Sequence, residues 1–213
     1  MDNTTFSAKT GDQYFIWFDT EYSSLKLEEA HLLQVAALIT DRSLQRVIPS
    51  QRDVRMAIHL PPDATVSSWV EENIPDLIAL CRSSQSVDLT RADHLLASYV
   101  DQVAGPPAEK ESKRPILAGN SVHADWWLAQ KYLPEFSKRL HFRHLDVTAF
   151  KLEWQDRYPD RDFDKDDPDN IRRYFPSASL AANDAKHDAY YDVHASIAEL
   201  AFYRRHLFIT GRQ

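Results

Sequence analysis

Two acidic residues, Asp19 and Glu21, stand at the end of an apolar and aromatic run that begins at Tyr14. Such a run is typical of a buried strand, and side chains two residues apart on a strand project from the same face. Paired carboxylates repel each other unless a positive charge lies between them, and Mg²⁺ or Mn²⁺ would supply it, because these cations select oxygen ligands. On this pattern alone, two solvated acids at a strand end are the favoured interpretation.

Three further polar residues extend this candidate site. Asp125 lies near the start of a predicted helix, where complementing the helix dipole is explanation enough for a single acid. His187 and Asp192 are five residues apart, which rotates a helix by about 140°, so both cannot lie on one helical face. We therefore expect His187 on the loop before the last helix and Asp192 in its second turn. A histidine there suits a general base at neutral pH, although by itself it fits an ordinary surface histidine.

The elements that would position these residues follow from the hydrophobic periodicity. Apolar runs predict strands at 14–19, 32–40, 53–60, 116–120 and 141–147, with the first three forming a meander. Helical spacing predicts helices at 67–82 (interrupted at Pro75), 89–103, 121–133, 148–157 and 188–207. Strands followed by alternating strands and helices predict an α/β domain with a mixed sheet.

The length of 213 residues suits a single domain, which we place at 14–208. Residues 1–13 are polar, lack the pattern of a signal peptide, and are predicted to be a flexible leader. The acidic, proline-containing segment 158–184 is predicted to be an extended loop or insertion.

Composition limits the compartment and the partners. No stretch approaches the roughly 18 apolar residues that a membrane crossing needs, and the single cysteine, Cys81, cannot form an internal disulfide. We therefore predict a cytoplasmic protein without membrane association, with a mitochondrial location as the alternative left open. The net charge of −7 argues against a protein that binds long duplex nucleic acid, since such binding uses a basic face.

The order of the polar residues resembles that of the DEDDh exonucleases, which belong to the DnaQ-like, ribonuclease-H-like superfamily. Over nearly the whole chain the sequence is similar to the oligoribonucleases in particular. The matching segments are FIWFDTEYSSL, LLQVAALITD, AGNSVHAD, FRHLDVT and HDAYYDVHASIAELAFYRRHLF. The resemblance implies an α/β, ribonuclease-H-like fold in which helices flank a mixed central sheet of about five strands.

The resemblance also implies a reaction. Asp19, Glu21, Asp125 and Asp192 would hold two divalent cations, Mg²⁺ or Mn²⁺, and His187 would take the proton of the attacking water. The substrates would be very short single-stranded oligonucleotides, with dinucleotides expected first. Cleavage from the 3′ end would release nucleoside 5′-monophosphates.

Substrate contacts are implied in the same way. Leu25 matches a leucine that wedges between two bases. Trp69 matches a tryptophan that stacks on a base, which is worth roughly 1–3 kcal/mol, although a core position is an equally good interpretation. Ser121, Arg143 and Thr148 match residues that cap the 5′-phosphate, and an arginine suits this because its planar fork binds phosphate. The family's cap lies at a homodimer interface, so a homodimer is expected.

Four positions depart from the family pattern. Ser24 replaces a glycine and Gln34 a glutamate, while Phe142 and His144 each stand where the family has a tyrosine. Loss of a tyrosine hydroxyl at Phe142 removes a hydrogen bond to phosphate worth roughly 1.5–3 kcal/mol unless His144 replaces it. An enzyme that prefers DNA or accepts longer oligonucleotides is therefore kept as an alternative. A non-catalytic nucleic-acid-binding module is a weaker one.

Overall fold

The computed structural model describes residues 11–181, 184 and 187–207. Its five-stranded sheet has the order β3-β2-β1-β4-β5. The strands are β1 (Tyr14–Tyr22), β2 (Leu32–Asp41), β3 (Val54–Ala57), β4 (Ile116–Gly119) and β5 (His144–Asp146). The first three form the predicted antiparallel meander, while β4 runs parallel to β1 and β5 parallel to β4. The prediction of a mixed α/β sheet is confirmed.

Eight helices lie in the described part of the chain. They are α1 (Ser68–Asn73), α2 (Pro75–Cys81), α3 (Leu89–Ala104), α4 (Val122–Tyr132), α5 (Pro134–Ser137), α6 (Val147–Arg157), α7 (Pro168–Tyr174) and α8 (Ala189–Leu207). Pro75 and Pro134 each start a new helix, because proline suits the first helical turn and disrupts an interior one. None of these helices combines the length and the apolar character that crossing a bilayer would demand.

Strand β1 is buried on both faces, which explains its unbroken apolar run. Ile16 and Phe18 pack into a core with α3, α4 and α5. Phe15 and Trp17 point the other way, into a core that they share with α8. The polar residues that follow therefore emerge at a rigid strand end, between α4 on one face and α8 on the other.

The prediction of a loop at 158–184 is wrong in part. The segment contains α7, whose start is capped by the Asp167 carboxylate, and Phe163, Ile171 and Phe175 are buried against α8. These apolar residues are scattered through an acidic background without regular spacing. Their burial depends on the surface that α8 presents to them, which local periodicity does not report.

The predicted leader is also too long. Residues 11–13 form a 3-10 turn, and Gly11 is buried so closely that an added Cβ would lie 2.8 Å from the Lys113 carbonyl oxygen. A buried turn of this kind is part of the packed fold rather than a flexible leader. Residues 1–10 of the prediction lie outside the described residues.

Candidate active site

The end of β1 brings three carboxylates together. Asp19 and Glu21 project from the same face, as strand alternation predicts, and Asp192 meets them from α8. One carboxylate oxygen of each residue lies within 4.8 Å of the others. Asp192 occupies the first turn of α8, not the second turn expected from the sequence, because α8 begins only at Ala189.

Asp125 adds a fourth acid, although it lies outside that group of three. It sits in the first turn of α4, is only 5% exposed, and accepts a 2.6 Å hydrogen bond from the Thr20 hydroxyl. After burial, Asp125 is the largest influence that raises the pKa of Asp19. The four acids therefore form a single electrostatic cluster.

Crowding and burial make this cluster hard to ionise without a cation. Burial, with repulsion from Asp125 and Asp192, raises the pKa of Asp19 well above its usual range. Burial and then Asp192 raise the pKa of Glu21 to about 8, and burial raises the pKa of Asp125 to about 7. A divalent cation would remove this penalty, so the donor set fits a hard metal ion.

His187 stands on the turn just before α8, as predicted. Its backbone is left-handed (φ = +67°), and its backbone N–H donates a 3.1 Å hydrogen bond to Asp192. Its ring packs edge-to-face with that of Trp69, with 5.1 Å between the ring centroids and 80° between the ring planes. The imidazole is thus held beside the acidic cluster, which is where a general base would be needed.

A cavity of about 710 Å³ opens over these residues. Besides the four acids and His187, its wall includes Leu25, Trp69 and Ser121. Leu25 is 89% exposed and Trp69 48% exposed, so the interpretation of Trp69 as a core residue is wrong. Two apolar side chains left in solvent beside a polar cluster provide a surface on which bases could stack.

The residues matched to the phosphate cap do not all reach this cavity. Thr148 contacts Ser121, whose backbone N–H donates a 2.8 Å hydrogen bond to the Thr148 hydroxyl. Phe142, Arg143, His144 and Thr148 are absent from the cavity wall. The Arg143 guanidinium lies 5.3 Å from the centroid of the exposed Phe142 ring.

His144 faces inward instead. Its ring lies 4.6 Å from that of Trp126, and burial lowers its pKa. Its Nε2 atom is buried and has no hydrogen-bond partner within the described ranges. The residues matched to the phosphate cap therefore lie in two regions of this single chain. Ser121 lines the cavity, and the others lie outside its wall.

Lys165 is a cavity residue that the sequence prediction missed. Its ammonium lies 3.2 Å from Asp192 Oδ1, and the Tyr191 hydroxyl donates a 2.8 Å hydrogen bond to its carbonyl oxygen. Burial disfavours the charged form, but Asp192 and then Glu199 outweigh it and raise the pKa of Lys165. A lone lysine within the acidic segment carries no local signal for this placement.

Behind the acids lies a buried network that was also missed. The Asn120 amide donates to Glu199 (2.8 Å) and to Ser196 (3.0 Å), which joins the end of β4 to α8. The Tyr203 hydroxyl donates a second 2.8 Å bond to Glu199, which is 1% exposed. The two Asn120 bonds fix α8, and hence Asp192, against the sheet, while the Tyr203 bond lies within α8 and holds the Glu199 carboxylate in place.

Comparison with known structures gives other proteins of the same fold. The chain aligns with exonuclease I from Methylocaldum szegediense (TM-score 0.58, 15% identity, 91% of this chain and 40% of that one). It also aligns with cell-death related nuclease 4, CRN-4 (TM-score 0.58, 12% identity, 92% of this chain and 64% of that one). The chain spans less than two thirds of either structure, and the likeness establishes the fold of a ribonuclease-H-like exonuclease.

Sequence comparison gives the family. No family model matches the chain. It is 30% identical over 201 residues to the mitochondrial oligoribonuclease of Mus musculus, covering 92% of this chain and 74% of that protein. It is 30% identical over 203 residues to the oligoribonuclease of Mycobacterium leprae, covering 91% and 81%. The chain belongs to the oligoribonuclease family and is a 3′→5′ exonuclease. Membership implies dependence on a divalent metal, and the acidic cluster supplies ligands for it.

Proposed function

We propose that this enzyme removes nucleoside 5′-monophosphates from the 3′ end of very short RNA, with dinucleotides as its main substrates. The observation that carries the proposal is the cavity in which the acids and His187 lie beside two exposed apolar side chains, Leu25 and Trp69. Bases packed on Leu25 and Trp69 would bring a phosphodiester to the acidic cluster. RNA is proposed as the substrate because the relatives of this chain are oligoribonucleases.

The chemistry is hydrolysis of one phosphodiester bond. Two Mg²⁺ or Mn²⁺ ions held by the four acids would neutralise the phosphate and lower the pKa of the attacking water. His187 takes the proton of that water as its oxygen bonds to phosphorus. The bond from phosphorus to the 3′-oxygen breaks, its electrons stay on that oxygen, and a proton completes the new 3′-hydroxyl.

The 5′-phosphate cap would set the length limit. Ser121 and Thr148 lie in contact at the cavity edge, and Arg143 is exposed nearby in the chain. We propose that a second copy of the chain completes the cap in a homodimer, as the family resemblance implies. The cytoplasmic location stays a prediction, and the murine relative is named as mitochondrial.

A broader range of lengths, or a preference for DNA, is the second candidate. The observation that favours it is the position of Phe142, Arg143 and His144 outside the cavity wall, where Phe142 also lacks a hydroxyl for phosphate. A cap that does not close over the cavity would admit longer chains. The two candidates share the acidic cluster and differ only at this edge.

A length-and-sugar panel separates them. Turnover of 5′-phosphorylated RNA and DNA oligomers of two to seven nucleotides would be followed by release of monophosphates in Mn²⁺. A steep fall beyond the dinucleotide supports the first candidate, whereas equal turnover at every length contradicts it.

Variants of the acids test the site itself. Asp19→Ala should abolish hydrolysis, because Asp19 is central to the cluster. Asp160→Ala, which removes an exposed acid of the 158–184 segment, should leave it unchanged. Equal rates for both variants would show that the reaction takes place elsewhere.

A further inference from the structure

Arg55, on β3, forms hydrogen bonds to residues on both sides of His187. Its Nη1 donates a 3.0 Å hydrogen bond to Asp184, and its Nη2 donates a 2.5 Å bond to Asp188. Asp184 precedes His187 by three residues and Asp188 follows it directly. One guanidinium thus spans the backbone on both sides of the histidine.

Both acids are tied to backbone groups as well. Asp184 accepts a 2.7 Å hydrogen bond from the N–H of Ala181. Asp188 accepts a 2.9 Å bond from the N–H of Tyr190 at the start of α8. The Arg55 fork therefore links Asp184, which precedes His187, to Asp188 and the first turn of the helix that follows it.

Gln34, on the neighbouring strand β2, holds the same helix start. Its side-chain oxygen accepts a 2.9 Å hydrogen bond from the N–H of Ala189, and its nitrogen donates a 3.3 Å bond to Asp188. Gln34 is buried, so this contact is fixed by the sheet. Two strands thereby set the position of the backbone from which His187 projects with its left-handed φ of +67°.

We propose that Arg55 is a positioning residue for His187, a role that rests on the proposed function. The Arg55 side chain is 42% exposed, whereas the Asp184 side chain with which it pairs is only 3% exposed, so removing Arg55 also lowers folding stability. The ion pairs also fix the backbone on both sides of His187, and displacing a reacting group by about 1 Å can slow a reaction about 100-fold. Loss of Arg55 should therefore slow the reaction while the fold is retained.

The first test compares Arg55→Ala and Arg55→Lys with Arg172→Ala, all assayed on a 5′-phosphorylated RNA dinucleotide. Arg172 is a control for the loss of a partly exposed arginine, since it is 45% exposed and pairs with Asp169 on α7, whose side chain is 87% exposed. Arg55→Ala should lower kcat about 10- to 100-fold with KM nearly unchanged, in an assay run well below its melting temperature, where circular dichroism shows that the variant is folded. Arg55→Lys should also slow the reaction, because an ammonium lacks the fork that spans two carboxylates. Arg172→Ala should match the wild type.

The second test combines Arg55→Ala with His187→Ala. If Arg55 acts through His187, its loss should cost almost nothing further in the His187→Ala background. An equal loss in both backgrounds would overturn the inference, as would a wild-type kcat for Arg55→Ala. Calorimetric titration with Mn²⁺ should give similar affinities for Arg55→Ala and the wild type, and a parallel loss of affinity would also overturn it. A wild-type kcat for His187→Ala would instead contradict the proposed general base.

Discussion

Replacing Glu21 by glutamine should stabilise the metal-free enzyme and abolish its activity. Burial, then the charges of Asp192, Asp188 and Asp125, raise the pKa of Glu21 from 4.5 to about 8. Between these two values the folded protein binds more protons than the unfolded chain. Its stability therefore falls as pH rises through this range, and glutamine removes that loss because it does not ionise.

The magnitude follows from the two pKa values of Glu21. Because of this shift, Glu21 lowers the free energy of unfolding by roughly 2 kcal/mol at pH 6 and by roughly 4 kcal/mol at pH 8, relative to a side chain that does not ionise. The difference of about 2 kcal/mol is independent of any packing change that glutamine causes. For a chain of this size it corresponds to a melting temperature raised about 4–8 °C more at pH 8 than at pH 6.

The assay is thermal unfolding in EDTA at pH 6 and pH 8, repeated with saturating Mn²⁺. Glu109→Gln is the matched control, since Glu109 is exposed on the loop between α3 and β4. Mn²⁺ should raise the melting temperature of the wild type most at pH 8, and that of Glu21→Gln much less. Identical pH dependence of Glu21→Gln and wild type would refute the electrostatic reasoning. Full activity of Glu21→Gln would refute its role as a ligand.

Three further predictions concern residues around the same cavity and behind it. Trp69→Ala should lower kcat/KM on a dinucleotide about 5- to 150-fold, equivalent to the roughly 1–3 kcal/mol of one stacked base. Trp69→Phe should retain most of the wild-type kcat/KM. Equal kcat/KM for Trp69→Ala and the wild type would show that the ring does not stack on a base. Lys165→Met should tighten Mn²⁺ binding in calorimetric titration, because the ammonium 3.2 Å from Asp192 no longer competes; weaker binding would contradict this. Asp93→Ala should lower the free energy of unfolding in denaturant by roughly 2–4 kcal/mol, because Asp93 is buried and accepts two N–H bonds at the start of α5. Its kcat should not change. A loss below about 0.5 kcal/mol would show that these two bonds are dispensable.

Much of the fold was predictable because its signals are local. The unbroken apolar run of β1 marked a strand buried on both faces, and strand alternation placed Asp19 and Glu21 on the same side. Pro75 divided two helices at the predicted point. Each of these rules depends only on residues that are neighbours along the chain.

Local signals failed where burial depends on another element. Helix α7 has too few regularly spaced apolar residues to be recognised, and it is stabilised by contact with α8. Gly11 is buried where Lys113 and Pro115, about a hundred residues further along the chain, pack over it. In both places the partner surface is distant in sequence.

The sequence by itself determined which chemistry this protein carries. The order of Asp19, Glu21, Asp125, His187 and Asp192 indicated an exonuclease, and the relatives confirmed that class. Only the tertiary structure decided what surrounds these groups. Lys165 reaches Asp192 across 27 residues of chain, and Arg55 reaches Asp184 across 129. Such pairs are brought together by packing of the whole sheet and α8, which no local pattern of residue types encodes.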